Sequence, residues 1–434
     1  MNEKMEIHNA SIPRSVYVFL ATRALSAFGS SMTAFAINVW VFEKTRSFTL
    51  FAVLTLLTSL PNLLLAPIVG IVVDRYNKKY LLMACEATTA ATVLFALVAF
   101  VADTFGLLQA ALVVLALSIA SNFRWTLIGA SIGTLVPREH LNRINGIQQS
   151  FEGVIDIGAP LLGAAALHAL GPGWIFVFDI GASAIALAAL FILDGRLLVP
   201  KNQHSLATGF LRNALVGVQW IMRHRDLRRL LFFITFYNLA GGVFTVSLIP
   251  HFLSFAGKES LGVALALEGA GALLGGLLIA RMKYSLDRSE TVVYTCAATF
   301  GIVMTLWGGV NNDIAAFIAL FFSGAVVSAL IASLQTTWQA NVPSDLQGRV
   351  FAARRMISYS LIPVATLLSI PFASQVTAPL LALHPMLQAI WGTGESGGLA
   401  MLLSLLGALL VPASTIAILR ARNALALPIT IKGD

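Results

Sequence analysis

Charge is scarce in this sequence. Lys and Arg number 28 and Asp and Glu 20 among 434 residues, so charged side chains make up only 11%, against about 25% in ordinary soluble domains. Hydrophobic residues reach 58% and the mean hydropathy is +0.84. No globule has enough interior to hide that much apolar surface, which excludes a soluble enzyme and a disordered chain alike. Cysteine is nearly absent: Cys85 and Cys296 both lie in apolar stretches, which excludes a disulfide framework and a zinc site. The seven histidines are scattered, without metal-ligand spacing. No P-loop, Ser-His-Asp set, flavin fingerprint or nicotinamide fingerprint is found. The expectation is therefore no enzyme, no metal and no cofactor, with any uphill work drawn from an ion gradient. The polar N-terminus, Met1 to Arg14, carries Glu3 and Glu6 instead of a basic region, and no cleavable signal peptide is expected.

What is abundant is long apolar runs. A membrane-spanning helix needs about 20 mostly apolar residues. Twelve stretches qualify, at about 15–42, 48–73, 80–102, 106–135, 147–170, 173–194, 229–254, 260–281, 290–310, 313–340, 356–377 and 398–419. They are continuous and lack the alternation of barrel strands, so the expected fold is all-α and integral to the membrane. The basic residues give the orientation. With the N-terminus inside, 23 of the 28 Lys and Arg fall in inner segments and three (Lys44, Arg46 and Lys258) in outer loops. The remaining two, Arg23 and Arg124, lie within spans. Both termini are expected in the cytoplasm. The net charge of +8 then needs no nucleic-acid partner. Trp40, Trp174 and Trp307 fall at outer span ends, where an interfacial belt is expected.

The chain divides into residues 1–194, a linker at 195–228 and residues 229–434, with six spans on each side. In the linker, Phe210, Leu211, Ala214, Leu215, Val218, Ile221 and Met222 recur at helical spacing with Arg212, Asn213 and Gln219 between them. That pattern predicts an amphipathic helix on the inner membrane surface. The two halves repeat. Val136-Pro137-Arg138-Glu139 with Arg143 matches Val342-Pro343-Ser344-Asp345 with Arg349, and Gly70 and Arg75 match Gly276 and Arg281, all at an offset of 206. A shared offset indicates an internal duplication. Six spans per half give both halves the same orientation. Residues 377–398 read as an outer loop of no evident function.

Three motifs stand out. The inner loop after the second span reads Gly70-Ile-Val-Val-Asp74-Arg75-Tyr76-Asn77-Lys78-Lys79. The fifth span holds Gly153, Gly158, Ala159, Pro160 and Gly163, small residues that let helices approach, with a bend at Pro160. Arg124 lies near the middle of the fourth span, with Gly129 five residues on. Together with Gly29-Ser30, the two Val-Pro-x-acid segments and Gly348-Arg349-Val350-Phe351, these motifs resemble the major facilitator superfamily, in its enterobactin-exporter and macrolide-efflux branch. The resemblance implies twelve helices in two parallel six-helix repeats. It also implies that Gly70, Asp74, Arg75, Asn77, Lys78 and Lys79 form a gating loop. There Asp74 would pair with basic or helix-end groups across the domain interface, and Arg75 with a nearby acid. Asn77 replaces the family's second glycine. Asn tolerates a left-handed backbone, so the tight turn is expected to persist. The second repeat has Ala280 in place of the Asp, so only the first copy makes this lock. Gly153, Gly158, Pro160 and Gly163 resemble the family's antiporter motif, with Ala159 as the departure. A mid-span Arg such as Arg124 is frequent among those antiporters.

Ionisable residues within a bilayer cost several kcal/mol unless paired or hydrated. Arg23, Arg124, Asp156 and Glu268 all fall near the midplane, and Glu152 lies one turn from Asp156. A carboxyl in a low-dielectric cavity titrates nearer neutrality, as proton coupling requires. Glu268 is the first candidate, since the second half's spans hold no base to neutralise it. Asp156 opposite Arg124 is the second, with Glu152 beside it. The alternative for Asp156, Glu152, Arg23 and Arg124 is a static bridge. Glu86 and Asp179 are expected to make helix-contact hydrogen bonds. Phe28, Met32, Asn38, Tyr237, Asn238 and Gln335 are expected to line the cavity.

The resulting expectation is a multi-pass inner-membrane protein that exports a bulky amphiphilic small molecule (drug, macrolide or siderophore type) in exchange for protons by alternating access, acting as a monomer. The alternatives are a lysophospholipid flippase or a metabolite importer on the same fold, or a non-transporting membrane sensor.

Overall fold

The computed structural model describes residues 12–45, 57, 61, 65–192, 210–253, 255–282 and 288–426. The apolar runs become helices. In order they are α1 (Arg14–Thr45), α2 (Ala66–Arg75), α3 (Lys78–Val101), α4 (Leu107–Leu135), α5 (Leu141–Leu170), α6 (Pro172–Ile192), α7 (Phe210–Arg223), α8 (Arg225–Leu253) and α9 (Lys258–Arg281). They continue with α10 (Ser289–Trp307), α11 (Asp313–Asn341), α12 (Gln347–Tyr359), α13 (Leu361–Phe372), α14 (Ala378–Leu383), α15 (Pro385–Trp391) and α16 (Gly394–Ala426). No strand occurs among the described residues. Eleven of their helical stretches are long and apolar enough to cross a bilayer. The second predicted span, 48–73, falls largely outside the described residues, as do Met1–Ser11 and most of the linker's first half.

Local chemistry sets the breaks. Pro137 holds Val136 extended (φ −113°, ψ 128°) and closes α4 before a short turn leads into α5. Gly171 ends α5 at φ +81°, a conformation a side chain would resist. Residues 377–398, expected as a loop, are instead mostly helical. A π-turn at Ala373–Thr377 runs into α14, Pro385 opens α15, and Gly392 and Gly394 at positive φ separate it from α16. Proline at a first helical turn starts a helix, because its missing N–H would be unpaired there anyway.

The chain folds into two compact units. The first comprises Met1–Ile144, Val154–Arg225 and Trp338–Met356, and the second Asn145–Gly153, Asp226–Thr337 and Ile357–Asp434. In the first unit, α1 and α3 pack against α6, and α4 packs against α3. Ile37 and Val41 of α1 meet Val93 and Ala96 of α3, Val113, Val114 and Leu117 of α4, and Phe176 of α6. In the second unit, α10 packs along α16, and Ile279 of α9 packs with Ala329 and Ala332 of α11. Trp307, expected at the interface, is fully buried here among Phe244, Phe252 and His251, whose Nε2 lies 3.0 Å from the Trp307 carbonyl. The aromatic column of α8 offers that indole more contact than a headgroup layer would.

Candidate functional site

Four helices of the first unit bring polar side chains into an otherwise apolar interior. Arg23, Ser26, Ser30 and Thr33 recur at three- and four-residue spacing along one face of α1. They meet Glu86 of α3, Arg124 of α4, and Asp179 and Ser183 of α6. Glu86 is completely buried. Its Oε1 accepts from the Nη1 atoms of both Arg23 and Arg124, the latter at 3.2 Å, and its Oε2 accepts from Ser26 Oγ at 2.6 Å. Arg124 Nη1 also donates to Ser26 Oγ at 3.1 Å. Asp179, likewise completely buried, takes no cation directly among the described residues. Ser30 donates to its Oδ1 at 3.2 Å and Thr33 to its Oδ2 at 2.8 Å. The helices come this close because residue 29 is glycine: a Cβ there would lie 2.9 Å from the Asp179 backbone Cα. Desolvating such ions costs several kcal/mol each, recovered only when every partner is in place.

The sequence-predicted residues are distributed differently. Arg23 and Arg124 belong to this cluster, but their anion is Glu86, not Asp156. Asp156 is exposed on α5 and forms no ion pair among the described residues; Glu152 is also exposed, and Glu268 is half-buried on α9. The helices joined by the bridge are therefore those of the first, third and fourth spans, in place of the first, fourth and fifth. Gly158 and Gly163 face the Phe28 and Phe35 rings of α1, with Ala159 between them in the apolar cluster around Met32, while Gly153 faces Ala272 and Leu273 in the second unit. Pro160 lies inside α5 without ending it. Of the expected cavity residues, Met32 and Tyr237 are buried, Tyr237 against Phe300 at 5.2 Å. Phe28, Asn38, Asn238 and Gln335 are half-buried, and Asn238 Nδ2 donates to the Ser358 carbonyl at 2.8 Å.

The 70–79 loop meets α12. Asp74 is buried, its Oδ1 accepting from Gly348 N at 2.6 Å and its Oδ2 from Arg349 N at 2.9 Å, with Arg349 Nε at 3.4 Å. The carboxyl thus caps the first turn of α12, where free N–H groups point outward. Gly70 and Gly348 admit the contact: a Cβ on Gly70 would lie 2.8 Å from Ala352 Cβ and 2.9 Å from the Gly348 carbonyl oxygen. Two details depart from expectation. Asn77 is not left-handed; at φ −61° and ψ 118° it caps α3, its side chain accepting from Lys79 N at 2.9 Å. Asn succeeds there because capping needs only a short acceptor on an extended residue. Arg75 lies over the Tyr76 ring, 5.2 Å from its centroid, and forms no ion pair among the described residues. Lys78 is buried beside Asp74.

Burial pushes the Asp74 carboxyl up to about 7, against the pull of the two amide hydrogen bonds and of the Arg349 and Lys78 charges. A released Asp74 would titrate near 4. The contact therefore holds a proton that the released state gives up. Its contribution is fully present below about pH 4 and is lost as the pH rises through about 7. The melting temperature of the wild type relative to Asp74→Asn should fall across that window; a difference that rises with pH would contradict the assignment.

Sequence reasoning missed the rest of this region. Gln339 Nε2 donates to the Gly129 carbonyl at 2.8 Å. The Arg354 guanidinium lies 5.4 to 5.6 Å from the ring centroids of Trp125, Trp338 and Phe351. Arg355 lies 4.5 Å from the Trp125 centroid and donates to Asn122 Oδ1 at 3.1 Å, while Asn122 Nδ2 donates to the Pro61 carbonyl at 2.8 Å. The signal lay in Arg354-Arg355 itself, which topology alone was enough to explain. In the second unit a related contact joins α9 and α5. Gly276 and Ala280 approach the Gly146 backbone, and Ser150 Oγ lies 3.1 Å from the Leu273 carbonyl.

Three comparisons bear on this arrangement. The sequence model of the Major Facilitator Superfamily matches residues 19–366. Macrolide efflux protein A of Streptococcus pyogenes is 24% identical over 371 residues, covering 83% of this chain and 89% of the relative. The multidrug efflux pump Tap of Mycobacterium bovis is 25% identical over 394 residues, covering 86% and 90%. Among solved structures, a bacterial homologue of the iron transporter ferroportin in an outward-facing state superposes with a TM-score of 0.68 at 15% identity, covering 95% of this chain and all of that one. The human organic anion transporter MFSD10 gives 0.70 at 14% identity, covering 93% of this chain and all of that one.

Proposed function

The chain belongs to the Major Facilitator Superfamily, and from that premise we propose that it exports a bulky amphiphilic small molecule in exchange for protons by alternating access. It is a multi-pass membrane transporter of the twelve-helix fold and not an enzyme. The observation that carries the finer reading is the Asp74 contact with Gly348 and Arg349. Two amide hydrogen bonds to one buried carboxyl are strong enough to hold a helix end and weak enough to be broken once per cycle. A static membrane sensor has no use for such a titratable fastening. Gly70, Arg75, Asn77, Lys78 and Lys79 serve it: the glycine by admitting α12, Asn77 by starting α3, and the cations by keeping the loop on the cytoplasmic side.

Efflux relatives of nearly the same length support the direction and the class of cargo. The 23-to-3 division of basic residues supports cytoplasmic termini and an inner-membrane location. The two sequence halves, 1–194 and 229–434, are the bodies that rock, joined by the linker with α7. One chain is the working unit. Phe28 and Asn38 in the first unit, and Asn238 and Gln335 in the second, are half-buried aromatic and amide side chains of the kind an amphiphile needs.

The test uses inside-out vesicles holding a preset pH gradient, to which erythromycin, ethidium and a catechol siderophore are added in turn while a pH-sensitive dye follows the gradient. The expected result is a compound-dependent collapse of the gradient, absent in vesicles without the protein. Transport of a compound with no movement of protons would refute the coupling and leave a facilitator.

A further inference from the structure

Resting on the proton-exchange reading, we propose that Asp179 takes up and releases the exchanged proton, while Glu86, held between Arg23 and Arg124, is its fixed ionised neighbour. The two carboxyls are equally buried and have opposite surroundings. Glu86 has two guanidinium groups on one oxygen and a hydroxyl on the other. Two cations at contact distance tie that carboxyl into a buried ion-paired cluster. Among the described residues Asp179 has only the Ser30 and Thr33 hydroxyls as hydrogen-bond partners, and these can serve either protonation state because a hydroxyl both donates and accepts. Paired groups with contrasting environments divide their roles in this way, one staying charged and one moving a proton.

The other titratable and charged groups facing Asp179 are Glu86 from α3 and Arg124 from α4, and behind them Arg23 of α1 and Cys85 of α3 face that same pair. With Asp179 ionised, the two arginines are balanced by two carboxylates. With Asp179 protonated, one positive charge is in excess. In a low-dielectric interior that imbalance is felt strongly by the whole cluster. Arg23 is the member placed to respond, since its Nε and Nη2 have no hydrogen-bond partner among the described residues. The hydroxyls give the change a path. Ser26 Oγ contacts Glu86, Arg124 and, at 3.5 Å, Ser183 Oγ, which stands one turn from Asp179 on α6; Ser30 stands one turn from Ser26 on α1. When a proton adds to Asp179, its new O–H donates to Ser30 Oγ, and the Ser30 hydroxyl proton turns away. The reverse occurs on release.

This assignment displaces the carboxyls expected from sequence. Asp156 and Glu152 are exposed and Glu268 is half-buried, so none combines full burial with adjacent fixed charges as Asp179 does.

Two measurements on the purified full chain test the assignment, one of them independent of any compound. Infrared difference spectra over a pH titration are taken in an Asp74→Asn background, which removes the other buried titrating carboxyl, and that parent should show the carbonyl band of a buried carboxylic acid. Asp179→Asn should remove it, and Asp156→Asn and Glu268→Gln should keep it. A band that survives Asp179→Asn overturns the proposal. In the vesicle assay with erythromycin or ethidium, Asp179→Asn should lower compound-driven proton movement by about tenfold or more while proton-independent exchange of the compound continues. Equal loss of both would assign Asp179 to structure. If Asp179→Asn does not fold, Thr33→Val serves. Loss of a hydroxyl bonded to the carboxyl should displace the pH midpoint of the band by about half a unit or more, and an unmoved midpoint overturns the proposal. A band that behaves as expected with no compound-driven proton movement in the wild type would leave the proton site standing and remove the exchange reading instead.

Discussion

Glu86→Ala should leave little folded transporter in the membrane. The carboxylate is the anion of both Arg23 and Arg124 and also accepts from Ser26. Its removal strands two buried guanidinium groups without an ion-pair partner, a situation that costs about 3–5 kcal/mol even for one broken pair. A marginally stable chain holds only about 5–15 kcal/mol in total. Fluorescence-detected size exclusion after a heating series should show the monodisperse peak lost at much lower temperature. Glu86→Asp, which keeps the charge on a shorter arm, should fall between the two. A Glu86→Ala protein as heat-resistant as the wild type would mean that the bridge contributes nothing net to stability.

Gly70→Val should abolish transport without preventing insertion. The first side-chain carbon alone would lie 2.8 Å from Ala352 Cβ and 3.0 Å from Arg349 Cα, closer than carbon atoms pack. Overpacking of this kind costs about 1–3 kcal/mol, and here the neighbouring atoms are mostly backbone and cannot turn aside. The strain falls on the contact, so α12 is displaced and Asp74 loses the alignment with the Gly348 and Arg349 N–H groups that both hydrogen bonds need. Transport in the vesicle assay should fall at least about tenfold, the equivalent of about 1.4 kcal/mol, at normal protein levels in the membrane. Gly70→Ala should be milder. Transport at the wild-type rate in Gly70→Val would show that the contact is not made and broken in the cycle.

What the sequence disclosed, and what it concealed, follows from the range of each signal. Span positions are local properties of about 20 residues, and hydropathy reports them directly. Asp74 was legible because its motif is contiguous. Partner choice was not. Arg124 was paired with Asp156 on the ground that both lie near the midplane, but depth says nothing of helix rotation. The structure turns Arg124 toward α3, where Glu86 had been given only a structural part. Asp179 was read as a hydrogen-bonding residue, correctly for its contacts, and its separation from any direct cation could be seen only with the helices assembled. Asn77 was assigned a strained backbone because a glycine stands there in related chains; the turn needed a cap instead. Residues 377–398 were read as an outer loop, but Pro385 starts a helix as readily as it ends one.

The close contacts at Gly70 and Gly276 have a meaning for ancestry. Residues 70 and 276 differ by 206, and so do residues 146 and 352. Gly70 meets Ala352, and Gly276 meets Gly146, so each contact is the other with the two copies exchanged. That is the rule of a two-fold symmetric homodimer, in which position i of one subunit touches position j of its mate and j touches i. Contacts exchanged at one common offset are what an internal duplication would leave in a single chain. Position 74 carries a carboxyl while its counterpart, 280, is Ala, so a pairing that is symmetric in its backbone contacts is titratable at one of its two places.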